Sequence, residues 1–271
     1  MIQGFDFGAM MAAISWFSQA AGSLAVYIGA GVLPCFLWLA FYLKQDRHPE
    51  PKKQIVWVFL LGALMTAPAV AMEIFLINAI ESWGLPETAG LIAINILGIG
   101  LIEEFGKYLS VWFKEQTVEK NRYLDEPVDF VIYMIVAALG FAAVENLLFL
   151  LPSVQESLTG NLMLLRPDNA ATLVLLSLFR SVSAILLHTL CSGLLGYYMA
   201  QTFCNPKRKT SFLAFGFFIT SCLHGLYNFS IMESEGNLSF LLIPLAIILM
   251  LAITLYFAFK KLLNMKSACK I

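Results

Sequence analysis

Long apolar stretches alternate with short polar connections along the whole chain. Each stretch approaches or exceeds the roughly 20 residues that an α-helix needs to cross a bilayer. The stretches are residues 21–43, 55–80, 88–113, 128–151, 170–201, 211–232 and 239–262. This pattern predicts an all-α, polytopic transmembrane helical bundle of about seven spans, which forms a single domain over residues 1–271.

Polar residues in the connections predict the orientation of the bundle. Lysine and arginine concentrate in every second connection and at the C-terminus, as at residues 207–209, whereas the alternate connections carry acidic residues such as Glu81 and Glu87. Under the positive-inside rule, this alternation places the N-terminus outside and the C-terminus in the cytoplasm. The long fourth connection, residues 152–169, is then an external loop.

The N-terminal residues allow two interpretations. Residues 4–20 are apolar, but no basic region precedes them, so a cleavable signal peptide is not indicated. Residues 1–20 are either an interfacial helix on the outer surface or an eighth span that forms a hairpin with the first.

Composition supports a membrane protein. Of 271 residues, 59% are hydrophobic and 13% are charged, whereas a soluble domain carries about 25% charged residues. We therefore expect a multi-pass protein of a cell membrane, with the prokaryotic cytoplasmic membrane as its location. The lipid bilayer is the expected partner, and no nucleic-acid partner is expected.

Ionisable side chains interrupt four of the apolar stretches at similar depths. A charge at bilayer depth costs at least about 2.5–3.5 kcal/mol, so such a residue is a candidate for function. The candidates are Glu103, Glu104, Lys107, Glu145, His188 and His224, with Asn228 one turn after His224. At about 1.5 Å per residue, Glu103, Glu145 and the two histidines lie about 15 to 25 Å from the predicted cytoplasmic ends of their helices. The shared depth predicts one polar pocket inside the bundle.

Spacing along the helices supports the pocket, although each residue also has a structural interpretation. Glu103 and Lys107 are four residues apart and can pair on one helix face. Lys107 could be only a buried counter-ion, and a lone histidine is often a hydrogen-bond partner between helices. Glu73 could serve only to pair helices, and Arg180 could extend towards the membrane surface or bind an acidic group.

Several motifs occur in a fixed order along these stretches. EEFGK at residues 103–107 has the form EExxK, FAAVE at 141–145 has the form FxxxE, and HGLYN at 224–228 has the form HxxxN. DRHPEP at 46–51 precedes them, and LLHTL carries His188. With these motifs, the chain resembles the PrsW family of intramembrane proteases, which is related to the type II CAAX prenyl endopeptidases.

The resemblance implies an endopeptidase that cleaves a membrane-anchored protein, with a catalytic core at about residues 55–232. It implies that Glu103 is the general base, that Glu104 orients it or shares its proton, and that Lys107 keeps a carboxylate ionised. Glu145 stands where the prenyl proteases have a histidine. Because some family members cleave anti-sigma factors, a substrate of that type is implied here as well.

The remaining roles leave two mechanisms open. His224 and Asn228 would polarise the scissile carbonyl, and His188 would complete the polar wall or bind a metal. Zinc usually takes three protein ligands and a water in a catalytic site. The ligand set for a possible zinc ion would be Glu103, Glu145, His188 and His224. Because the HExxH motif is absent, both a glutamic protease and a metalloprotease remain possible.

Two other functions are compatible with a buried polar cluster. A transporter coupled to protons or ions would also place carboxylates and histidines at the midplane. The sequence shows neither an internal repeat nor matched interrupted helices, which are typical of many transporters. A scaffold without catalytic activity would give no reason to bury this many charges.

Overall fold

The computed structural model describes residues 7–45, 48–117, 124, 126–150, 170–233 and 241–264, and these residues form helices without strands. The helices are α1 (Phe7–Leu43), α2 (Lys52–Glu81), α3 (Glu87–Ala93), α4 (Leu101–Thr117), α5 (Pro127–Leu150), α6 (Ala170–Val182), α7 (Ala184–Cys204), α8 (Lys209–Glu233) and α9 (Leu242–Leu263). A π-helical segment, Ile94–Gly100, joins α3 to α4, and a short 3₁₀ turn, Pro206–Arg208, precedes α8.

By length and composition, seven helical segments of the described chain are able to cross a membrane. This confirms the all-α class and the predicted number of about seven spans. The third span runs continuously through α3, the π-helical segment and α4. The sidedness of the termini stays a prediction, and the fourth connection at residues 152–169 lies outside the described residues.

The first helix is longer than predicted. Residues 7–20 continue the helix of the first span without a turn, so the hairpin with an eighth span does not form, and neither does a separate interfacial helix. At about 1.5 Å per residue, the 37 residues of α1 measure about 55 Å. This length exceeds the roughly 30 Å of the hydrocarbon core.

Helix α5 is the axis of the bundle. Its sequence is apolar on all sides, which is typical of a helix that neighbours surround completely. In the structure, most of its residues are buried, and it packs mainly against α7, α2 and α1. Polar side chains such as Asp129 and Asn146 are buried on this helix.

Glycines bring the backbones of α2 and α5 into direct contact. A Cβ atom on Gly140 would lie 2.0 Å from the carbonyl oxygen of Phe59, and one on Gly62 would lie 2.1 Å from that of Ala137. Only hydrogen fits in these gaps, so small residues set the distance between the two helices.

The fifth span is not one helix, in contrast to the prediction for residues 170–201. Ser183 (φ −120°, ψ −82°) separates α6 from α7 and ends the regular helix five residues before His188. The carbonyl of Ser181, close to this break, accepts a hydrogen bond of 2.9 Å from Trp38 Nε1 on α1. Because residues 170–201 contain no proline and no glycine near the break, hydropathy alone does not reveal it.

Candidate active site

The π-helical segment places the two adjacent carboxylates. Glu103 and Glu104 lie in the first turn of α4, directly after the segment ends at Gly100. A Cβ on Gly225 of α8 would lie 2.6 Å from the carbonyl oxygen of Asn95, so α8 and the π-helical segment touch through their backbones. Wide turns of this kind are frequent at functional sites. Here the close contact brings His224, the neighbour of Gly225, to the carboxylates.

Lys107 is the fully buried centre of the cluster. Its ammonium lies 3.2 Å from Glu103 Oε2, 2.8 Å from Glu104 Oε1 and 2.8 Å from His188 Nδ1. The ring of Phe141 lies beneath it, with the centroid 4.8 Å from Nζ. The predicted pairing of Glu103 with Lys107 is present, and the lysine also bridges α4 to α7.

His188 has a different partner on each ring nitrogen. Its Nε2 lies 2.5 Å from Glu145 Oε2, and its Nδ1 faces both Lys107 and Glu103 Oε2, the latter at 3.4 Å. An ammonium can only donate, so Nδ1 accepts from Lys107 and the ring carries its proton on Nε2, next to Glu145 Oε2. The accepting nitrogen of His188 is thus directed into the cluster.

His224 repeats this arrangement from the opposite side. Its Nδ1 lies 3.0 Å from Glu104 Oε1, and its Nε2 lies 3.6 Å from Glu103 Oε2. Because a carboxylate accepts, Nδ1 donates to Glu104, and Nε2 faces Glu103. The two imidazole rings are 5.0 Å apart and nearly perpendicular.

Glu104 and Glu103 have different surroundings. Glu104 Oε1 accepts from Lys107 and His224, and Oε2 accepts from Ser192 Oγ at 2.8 Å, so both oxygens are occupied. The contacts of Glu103 with Lys107, His188 and His224 all involve Oε2. Its Oε1 forms no hydrogen bond with any other residue that the structure describes.

Ser192 is a further residue of the site that the sequence did not predict. The only signal was its position one helical turn after His188, and serine is too common in membrane helices for this spacing to identify a site residue.

Three buried side chains form a possible metal-binding group. Donor atoms of Glu103, His188 and His224 lie within 4.8 Å of one another. Glu145, the fourth predicted ligand, is not part of this group, because its carboxylate binds the far nitrogen of His188. The metal-ligand role of Glu145 stays a prediction; in this structure the carboxylate contacts a histidine, as carboxylates next to metal sites commonly do.

The donor set and the charge of the cluster fit a divalent cation. Two imidazoles and a carboxylate are ligands that zinc prefers. The carboxylates Glu103, Glu104 and Glu145 outnumber the cationic groups of Lys107 and Arg180 by one, so the cluster has an uncompensated negative charge when all of these groups are ionised.

Arg180 of α6 pairs with two residues of the FxxxE region. Its Nη2 lies 3.2 Å from Glu145 Oε1, and its Nε donates to Asn146 Oδ1 at 2.7 Å. The sequence analysis left open whether Arg180 extends to the membrane surface or binds an acidic group. The structure shows the second, since the side chain is buried.

Two candidate residues lie apart from the hydrogen-bonded cluster. Asn228 and Glu73 are both half-buried, and neither forms a hydrogen bond or an ion pair with another residue in the described part of the chain. Asn228 remains one helical turn from His224, so its amide is available to a further group. Glu73 gains no defined role from this geometry.

Comparison with known proteins identifies relatives across most of the chain. The sequence model for the "PrsW family intramembrane metalloprotease" matches residues 50–257. A protein named Protease PrsW from Geobacillus kaustophilus is 28% identical over 209 residues, which cover 77% of this chain and 80% of the relative.

Two further relatives carry the same name. The Oceanobacillus iheyensis protein is 29% identical over 82% of this chain and 90% of its own length. The Bacillus subtilis protein is 25% identical over 82% of this chain and 89% of its own. No solved structure matches the chain.

Proposed function

Because this chain belongs to the PrsW family of intramembrane proteases, we propose that its buried cluster is the active site of a metal-dependent endopeptidase. The protein is a multi-pass protease of the bacterial cell membrane that acts on a membrane-anchored protein. In our proposal, Glu103, His188 and His224 hold the metal, and Glu103 also serves as the general base.

The observation that carries this proposal is the orientation of the two histidines. Each ring has one nitrogen on a carboxylate, Glu145 for His188 and Glu104 for His224, and directs the other nitrogen at Glu103 Oε2. Carboxylates bound to the far nitrogen fix the tautomer of metal-binding histidines and increase their basicity. Two imidazole nitrogens that converge on one carboxylate oxygen form the arrangement that a metal-binding site uses.

Each residue of the cluster has a separate role in the proposed reaction. Bound zinc would supply a Lewis acid that polarises the scissile carbonyl and favours ionisation of water. Glu103 Oε1, the oxygen without a partner in the described chain, accepts the proton from the attacking water and later delivers it to the leaving amine. Lys107 pairs with Glu103 and Glu104 and offsets their negative charge. Asn228 donates its free amide N–H to the developing oxyanion.

We further propose that the substrate is of the anti-sigma factor type. The support for this is the family resemblance of the EEFGK, FAAVE and HGLYN motifs and not the geometry of the site. The transporter interpretation is not favoured, because the relatives of this chain are proteases.

A second mechanism, a glutamic protease without metal, is supported by a different contact. The ammonium of Lys107 touches both His188 Nδ1 and Glu103 Oε2, which are two of the proposed metal-binding atoms. Lys107 could therefore act as the permanent cation of the site. In that case Glu103 activates water alone, and His224 polarises the carbonyl.

One experiment tests the proposal and separates the two mechanisms. The protein is purified in detergent, its metal content is measured by mass spectrometry, and hydrolysis of a panel of single-span membrane peptides is assayed with and without a chelator. We expect about one zinc per chain, loss of activity with chelator and recovery with added zinc. Full activity of metal-free protein would establish the glutamic mechanism, and failure of the zinc-loaded protein to cleave any peptide would contradict the proposed site.

A further inference from the structure

Arg180 is a charged side chain next to the site to which the proposed mechanism gives no role. It lies at the end of α6, three residues before the break at Ser183, and it is buried. An arginine at bilayer depth is costly and is retained where it pairs with another group inside the bundle. Its partners therefore indicate what the residue is for.

Glu145 is shared between Arg180 and His188. Its Oε1 faces Arg180 Nη2 at 3.2 Å, and its Oε2 faces His188 Nε2 at 2.5 Å. A glutamate side chain has three rotatable bonds, so a single contact with His188 would not hold the carboxylate in one orientation. The second contact, on the opposite oxygen, fixes the plane of the carboxylate and with it the direction of the imidazole.

Arg180 is itself fixed on three sides. Its Nε donates to Asn146 Oδ1, and the guanidinium lies over the ring of Phe149 at 4.0 Å from the centroid. Asn146 in turn donates through Nδ2 to the carbonyl oxygen of Gly31 on α1, at 3.4 Å. The planar guanidinium has donors in a fixed arrangement, which suits contacts with two acceptors better than a lysine ammonium does.

We infer that Arg180 is a positioning residue for the proteolytic reaction, which acts through Glu145 on the orientation of His188. It touches none of the three proposed metal-binding side chains, so it is not a catalytic residue. The contacts form a continuous series from Gly31 on α1 through Asn146, Arg180 and Glu145 to His188. This inference depends on the proposed function, because it requires that the orientation of His188 controls catalysis.

The test compares Arg180→Gln and Arg180→Lys with a matched control on the same helix. Ser177 lies one turn earlier on α6 and donates its hydroxyl to the carbonyl oxygen of Ala30 on α1, but it does not touch Glu145. Ser177→Ala therefore removes a contact between α6 and α1 and leaves the series to His188 intact. The readouts are kcat and KM for a single-span membrane peptide that the wild type cleaves, and the thermal midpoint in detergent.

Arg180→Gln should lower kcat by about 10- to 100-fold, as loss of groups that orient metal-binding histidines does, while KM changes less than about twofold. Arg180→Lys should recover part of this loss, because it restores the charge next to Glu145. Ser177→Ala should lower the thermal midpoint and leave kcat unchanged.

A double-mutant cycle separates positioning from a structural role. If Arg180 acts through Glu145, then Arg180→Gln adds nothing to the loss in a Glu145→Gln background. Additive losses, or a kcat of wild-type size in Arg180→Gln, would overturn the inference. Glu103→Gln distinguishes this failure from failure of the proposed function, since wild-type turnover in that variant would refute the active site as a whole.

Discussion

A lysine determines the charge balance of the site. Lys107 is buried completely, yet it contacts two carboxylates and an imidazole nitrogen, so its charge is compensated from three sides. An unpaired buried charge would be strongly destabilising, whereas this arrangement leaves no donor of the ammonium without a nearby acceptor. The cation thus holds α4 and α7 together at the point where the reaction is proposed to occur.

Glu103→Gln should abolish proteolysis and leave the fold intact. An amide keeps the shape of the side chain but cannot accept a proton from water. Turnover of a membrane peptide and the thermal midpoint in detergent are the measurements, with Glu87→Gln as a control because Glu87 is exposed at the start of α3. Wild-type turnover in the Glu103 variant would contradict the assignment of the base.

Metal content should separate ligands from residues that orient them. His224→Ala removes a proposed ligand and should yield protein without zinc, together with a loss of turnover of about 100-fold or more. Glu145→Gln should retain zinc with about 10- to 100-fold weaker affinity, because only the partner of His188 changes. Zinc analysis after dialysis against a series of chelator concentrations measures both effects. Equal zinc affinity in all variants would argue for the glutamic mechanism.

At the residue level, sequence predicted which side chains meet but not which atoms face each other. Glu103, Lys107, His188 and His224 were found because ionisable groups are rare in apolar stretches. Helical rise gives the depth of Glu145 but not its orientation, so the sequence could not show that it binds the far side of His188. Ser192 was missed because a serine hydroxyl is not unusual in an apolar helix.

At the level of elements, two irregular segments adjust the helices that carry the site. The π-helical segment precedes Glu103, and the break at Ser183 precedes His188. Neither contains a proline, so hydropathy and composition predicted continuous spans. Their geometry arises from packing between helices, such as the contact of Gly225 with Asn95, which a linear pattern does not encode.

The contact between α2 and α5 gives a test at this scale. Gly140→Ala should lower the free energy of unfolding by about 1–3 kcal/mol, because overpacking of a tight interface forces the backbones apart. The new methyl group would lie 2.0 Å from the carbonyl oxygen of Phe59. Gly29→Ala is the control, since no other group of the described chain lies within 4 Å of its added Cβ. Thermal unfolding in detergent should show a lower midpoint for Gly140→Ala alone, and equal midpoints would contradict the packing argument.

For the whole molecule, the number of spans was predictable because length and hydropathy suffice to identify a membrane helix. The continuity of α1 was not predictable, because residues 4–20 are apolar and lack any proline or charge pattern that distinguishes a continuing helix from a hairpin.

Sidedness is testable by labelling single cysteines in a variant without the native ones. Residues 44–54, 114–127 and 203–210 should be cytoplasmic and residues 152–169 external, according to the positive-inside rule. A cysteine at Lys207 should react with an impermeant maleimide only after cells are permeabilised, whereas one at Glu87 should react in intact cells. The reverse pattern would invert the orientation of the bundle.

The ion pairs within α4 also bear on how the chain enters the membrane during synthesis. When α4 leaves the ribosome, the helices that carry His188 and His224 do not yet exist. Lys107 lies three and four residues after Glu104 and Glu103, so the helix carries its own counter-ion and one net negative charge instead of two. Glu145 has no such partner on α5 and must wait for Arg180, which is made 35 residues later. During synthesis, the carboxylate of Glu145 is therefore without its counter-ion from the time when α5 is made until α6 reaches the bilayer.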